Sequence, residues 1–124
     1  MPNMELSVTF RFAASHFLTK YHGKCENLHG HTYRLDVTLE GKLDETGMLI
    51  DFGDLSRIVE ELVLTKLDHN YLNDVVAHST CENVAVWIFK RVQNHLHGKL
   101  SLYKITLFEN ETSFIECFND DIRE

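Results

Sequence analysis

Two segments of strict apolar/polar alternation constrain this chain more than anything else in it. Leu6, Val8, Phe10 and Phe12 fall on one parity, with Ser7, Thr9 and Arg11 on the other. Tyr33, Leu35, Val37 and Leu39 alternate in the same way with Arg34, Asp36, Thr38 and Glu40. Period two is strand geometry: successive side chains leave opposite faces, so each segment buries one face and wets the other. The parity then runs into chemistry. The first segment, continued through Ala14, reaches His16, and the second, spanning His31 to Gly41, reaches His31 and His29 when followed backwards. Three imidazoles thus fall on the apolar parity at strand ends, where a pocket can open.

The apolar faces need a backing layer, and two helical segments offer one. Asp51 reads as an N-cap with Asp54 in the first turn, followed by Leu55, Ile58, Val59, Leu62 and Val63 at helical spacing. Ser79-Thr80-Cys81-Glu82 reads as a capping box ahead of a stripe of Ala85, Ile88, Phe89, Val92 and Leu96, with Gly98 as a stop. Leu100 to Glu109 reads as a third strand with Tyr103, Ile105 and Leu107 on one face, and Ser113 to Phe118 as a short fourth. Strand, strand, helix, helix, strand, strand gives an α+β fold with a four-stranded antiparallel sheet. Its two unpaired edges favour assembly with further copies of the chain.

The only proline is at position 2 and no linker or repeat interrupts the sequence, so residues 1–124 read as one domain. A net charge of −7 argues against a nucleic-acid partner. No signal pattern or membrane-length apolar run is present, which suggests a cytoplasmic protein. Cys25, Cys81 and Cys117 are too few and too scattered for a disulfide framework, and Cys81 and Cys117 read as small buried hydrophobes.

Cys25-Glu26-Asn27-Leu28-His29-Gly30-His31 holds a thiol and two imidazoles within seven residues. Histidines at i and i+2 of an extended backbone point the same way, so both rings can reach one ion, and Gly30 lets the backbone bend or approach closely. Imidazole suits zinc, and three histidines with an open fourth position form a known catalytic arrangement. His16 is the natural third ligand; its other reading is a loop histidine. Cys25 is either a fourth ligand or a reagent beside the metal, its thiol acidified by the ion or by Lys24. Asp68 beside His69 is a proton relay or a helix-end histidine favoured by the dipole. Thr80 and Glu82 are site residues or helix caps. Glu109 is a turn residue or a carboxylate able to take two parallel N–H bonds from a guanidine-like ring edge.

Phe12-Ala13-Ala14-Ser15-His16, Cys25-x-x-x-His29-Gly30-His31, Gly47-Met48-Leu49-Ile50-Asp51-Phe52, Leu67-Asp68-His69-x-Tyr71-Leu72-Asn73, Ser79-Thr80-x-Glu82-Asn83 and Glu109-x-x-Thr112-Ser113 occur in this order. With them the chain resembles the 6-pyruvoyl-tetrahydropterin synthase/QueD family along nearly its whole length. The resemblance implies the tunnelling fold (T-fold), assembled into an oligomeric barrel, a homohexamer built as a dimer of trimers, with active sites at subunit interfaces. It implies zinc (Zn2+) on His16, His29 and His31, a catalytic Cys25, a catalytic Asp68–His69 pair, and Glu109 anchoring the pterin ring, with Thr80 as a further substrate contact. The spacing from Cys25 to His29 and Ile50-Asp51-Phe52 look like the bacterial QueD type. That type converts 7,8-dihydroneopterin triphosphate to 6-carboxy-5,6,7,8-tetrahydropterin, acetaldehyde and triphosphate on the route to queuosine. The alternatives are the animal type, which eliminates triphosphate to give 6-pyruvoyltetrahydropterin, and a non-catalytic zinc- or pterin-binding domain.

Overall fold

The structure, a computed structural model, describes residues 3–18, 27–96, 98 and 100–119. Strand β1 (Asn3–His16) pairs antiparallel with β2 (His29–Lys42) along its whole length, from Asn3 opposite Lys42 to His16 opposite His29. The second strand thus starts two residues earlier than the alternation alone suggests, and its first residue is itself a histidine. β4 (Ser101–Phe108) pairs antiparallel with β2, and β5 (Phe114–Phe118) with β4.

The sheet has five strands, not the expected four, in the order β3-β1-β2-β4-β5. The addition is β3 (Asn70–Tyr71), two residues lying parallel to Ala14 and Ser15 of β1. It is too short to show any alternation. It forms because the chain leaving the first helical segment runs along the free edge of β1, where the Ala13 carbonyl accepts from His69 N–H at 2.6 Å.

The helices cover one sheet face. The first helical segment is α1 (Phe52–Val59), a π-helical stretch (Glu60–Leu64) and α2 (Thr65–Leu67). The Asp51 carboxylate caps it, accepting from Gly53 N–H and Asp54 N–H. Leu55, Val59, Val63 and Leu67 are fully buried, a spacing of four. An ideal α-helix would rotate such a row off the sheet; the wider π turn keeps it facing inward. α3 (Cys81–Gln93) buries Val84, Ala85, Ile88, Phe89 and Val92. These side chains meet Phe10, Phe12, Tyr33, Leu35, Val37 and Leu39 in one core cluster. Among the described residues no helix is long and apolar enough to cross a membrane.

Two local expectations change. The α3 cap is Thr80, whose hydroxyl oxygen accepts from Asn83 N–H, so the box does not start at Ser79. Ser79 is instead buried and used elsewhere. On β4 the fully buried residues are Leu102, Ile105 and Leu107, while Tyr103 is half-buried with its ring edge-on to Phe118. The cause is a bulge: Thr38 pairs with Lys104 but Leu39 pairs with Leu102, so Tyr103 is the extra residue and parity flips across it.

Candidate active site

The apolar parity of β1 and β2 delivers His16, His29 and His31 to one point, where their ligand atoms lie within 4.8 Å of one another. β1 and β2 approach closely here. A Cβ at Gly30 would lie 3.3 Å from the Ala14 carbonyl oxygen, tighter than most such contacts, so Gly30 serves close approach here.

The ring orientations are set from outside the cluster. His16 is fully buried, and its Nδ1 lies 2.8 Å from the Ser79 carbonyl. His29 Nδ1 lies 2.7 Å from the Asn27 carbonyl. A carbonyl only accepts, so both Nδ1 atoms carry the proton and both Nε2 atoms present lone pairs. Those two Nε2 atoms face each other at 3.0 Å. Two lone pairs at that distance repel unless a cation or proton is shared between them. His31 Nε2 is buried and has no hydrogen-bond partner among the described residues. Burial holds the His31 pKa below the usual histidine value; His29 and His16 push the same way and Glu109 opposes them. Imidazoles oriented by backbone carbonyls at the second nitrogen, as His16 and His29 are, suit a zinc site, so the residues present fit the metal.

Glu109 follows β4 in the hairpin to β5, its N–H bonded to the Ser113 carbonyl. The Asn110 carboxamide oxygen ties this turn, accepting from Thr112 N–H, Thr112 Oγ1 and Ser113 N–H. The turn leaves the Glu109 carboxylate 3.6 Å from His31 Nε2, beside the histidine cluster.

Asp68 and His69, although adjacent in sequence, do face each other: His69 Nδ1 lies 3.0 Å from Asp68 Oδ1. The geometry requires a left-handed backbone at His69, with φ of 59°, an unusual state for a residue with a Cβ. Two bonds to β1 hold it: the Asp68 carboxylate accepts from Ala13 N–H, and His69 N–H donates to the Ala13 carbonyl. The His69 side chain is 82% exposed. A shallow cleft of about 500 Å³ has Ala13, Ser15, Gly30, His31, His69 and Tyr71 among its lining. His31 therefore borders both the buried cluster and the cleft that His69 overlooks.

Thr80 sits at the α3 N-terminus, next to the residue whose carbonyl holds His16. Cys81 is a half-buried thiol donating to the Leu107 carbonyl at 3.5 Å; burial, with Glu109 and Glu82, pushes its pKa up to about 12. It is thus a packing thiol, as is the buried Cys117. Cys25 lies outside the described residues, as do Lys20 and Lys24. The Ser79 and Asn27 carbonyls escaped the sequence because every residue carries such a group and only the fold selects which ones meet a ring.

The profile described as 6-pyruvoyl tetrahydropterin synthase matches residues 5–120. The chain belongs to that family. A 6-carboxy-5,6,7,8-tetrahydropterin synthase from Haemophilus influenzae is 35% identical, over 90% of this chain and 96% of the relative. The 6-pyruvoyl tetrahydrobiopterin synthase of Homo sapiens is 37% identical, over 90% of this chain and 88% of the relative. The solved 6-pyruvoyl tetrahydropterin synthase of Caenorhabditis elegans superposes with a TM-score of 0.85 at 30% identity, covering 96% of this chain and 97% of that one. The T-fold expected from the resemblance is therefore the fold observed, with β3 as an added edge strand.

Proposed function

We propose that this member of the 6-pyruvoyl tetrahydropterin synthase family is a cytoplasmic, zinc-dependent 6-carboxy-5,6,7,8-tetrahydropterin synthase. It would convert 7,8-dihydroneopterin triphosphate to the carboxypterin with release of acetaldehyde and triphosphate, for queuosine synthesis. The observation that carries the reading is the convergence of His16, His29 and His31 on one point, with the Nε2 atoms of two rings opposed and that of the third without a hydrogen bond among the described residues. The Haemophilus relative and the short Cys25–His29 spacing support the carboxy product.

His16, His29 and His31 would hold the zinc, which would supply a Lewis acid for the substrate's side-chain oxygens. Glu109 accepts two parallel N–H bonds from the amino-pyrimidine edge of the pterin and so fixes the ring beside the histidines. Cys25, four positions before His29, takes the side-chain proton as thiolate. His69, its Nδ1 held by Asp68, moves a proton through the opposite nitrogen. Thr80 keeps its hydroxyl hydrogen for substrate, because its oxygen alone is used in capping. The chain assembles as a homohexamer, a dimer of trimers, through the sheet edges that β3 and β5 leave open.

The test is incubation of the zinc-loaded protein with 7,8-dihydroneopterin triphosphate and identification of products by mass. Carboxytetrahydropterin with acetaldehyde is the expected result. A pyruvoyl product, which likeness to the human and nematode proteins favours, would move the chain to the 6-pyruvoyltetrahydropterin synthases. No turnover with zinc bound would leave a binding domain.

A further inference from the structure

Asn73 lies in a single 3-10 turn (Leu72–Asp74) on the far side of His16 from the other two histidines' strand. Its carboxamide is saturated. Oδ1 accepts from Phe17 N–H at 2.9 Å and from Ser79 Oγ at 3.0 Å. Nδ2 donates to the Phe17 carbonyl at 2.7 Å and to the Ala77 carbonyl at 3.0 Å. An amide has two acceptor positions and two N–H groups, so all four are used. The backbone partners fix which end is which, since an N–H only donates and a carbonyl only accepts.

The partners matter more than their number. Phe17 directly follows His16, and the amide holds both of its main-chain polar groups as a neighbouring strand would. Ser79 supplies the carbonyl that receives the His16 Nδ1 proton at 2.8 Å. One side chain therefore grips the backbone that carries His16 and the residue that aims its ring. His16 and Ser79 are both fully buried, so water cannot substitute for a lost partner.

We propose that Asn73, by bridging Phe17 and Ser79 on two sides of His16, is a positioning residue for the metal centre. No other side chain replaces it. Aspartate lacks the two donors and would set a carboxylate against two carbonyls; glutamine is a methylene too long. A ring loosened by a few tenths of an ångström weakens metal binding without removing a ligand.

The proposal rests on His16 being a metal ligand, and the experiment separates the two. Zinc affinity is measured by competition with a chromophoric chelator for the parent, Asn73→Ala, Ser79→Ala and Val59→Ala. The visible spectrum of the cobalt(II) form is recorded for each. Val59→Ala opens a cavity in the helical layer and serves as a destabilised control that leaves the clamp intact. Asn73→Ala is expected to weaken zinc about tenfold and to shift the cobalt bands. Ser79→Ala, which loses only the hydroxyl bond, is expected to weaken zinc roughly threefold. Val59→Ala should keep the parental affinity and spectrum at a comparably lowered melting temperature. Parental zinc affinity and cobalt spectrum in both clamp variants overturn the proposal. If Asn73→Ala does not fold, Ser79→Ala decides it alone. A parent that binds no zinc defeats the metal reading itself, and the clamp with it.

Discussion

Two histidine groups meet at the same end of β1 and are built in opposite ways. His16, His29 and His31 point inward from the buried face, and carbonyls outside the cluster orient two of their rings. His69 stands at the sheet edge, oriented by one carboxylate and almost entirely exposed. The first group draws its three rings from the two paired strands of one chain, close enough to hold a metal ion. The second is a positioned acid–base pair on the open lip of a shallow cleft. A metal needs a rigid donor set prepared before it arrives, whereas a proton relay must reach a substrate that enters and leaves. The left-handed backbone at His69 fits that contrast, because strain is tolerated where a side chain has to be aimed outward.

Each side of the contrast can be broken separately. The largest effect is expected from His29→Ala, which removes an inward donor. Zinc content should collapse and turnover should fall by about 10³-fold or more, read by metal analysis and product formation. His69→Ala should lower turnover by roughly 10² to 10⁴-fold while zinc content stays parental. If zinc is lost with it, the two groups are not separate.

A smaller effect concerns backbone strain. With the imidazole gone, glycine fits the left-handed backbone and alanine does not. His69→Gly should therefore be more stable than His69→Ala by about 1 kcal/mol, a few degrees in melting temperature. Equal melting temperatures would mean that His69 carries no strain.

The smallest expected effect is on pH dependence. The His31 pKa in the folded, metal-free protein is depressed, so the unfolded state binds more protons around neutrality. Its contribution is full above the ordinary value of 6.5 and is lost as pH falls through and below that value. The urea midpoint of the metal-free protein should drop between about pH 7 and about pH 5, and the drop should shrink in His31→Gln.

The alternating strands were readable because their burial has one cause, a face against the helices, which gives period two directly. The same parity carries His16, His29 and His31 to one side of the sheet. β3 was not readable, since two residues cannot alternate and its pairing depends on where Asp68 and His69 meet Ala13. The Tyr103 bulge hid for a related reason: one extra residue inverts parity, and Tyr103 looks as apolar as Leu102. The carbonyls of Asn27 and Ser79 leave no trace in residue type. Asn73 does stand in a motif that carries the family resemblance, but two of its four bonds reach Phe17, 56 positions away.

In the proposed site three imidazoles, and no thiolate, hold the metal. X-ray absorption at the zinc edge of the loaded protein reads the donor set. Three nitrogen donors at about 2.0–2.1 Å, a fourth light-atom ligand from solvent and an unchanged spectrum in Cys25→Ala are expected. A sulfur shell at about 2.3 Å that disappears in Cys25→Ala would contradict it, making Cys25 a ligand and closing the position where substrate is proposed to bind.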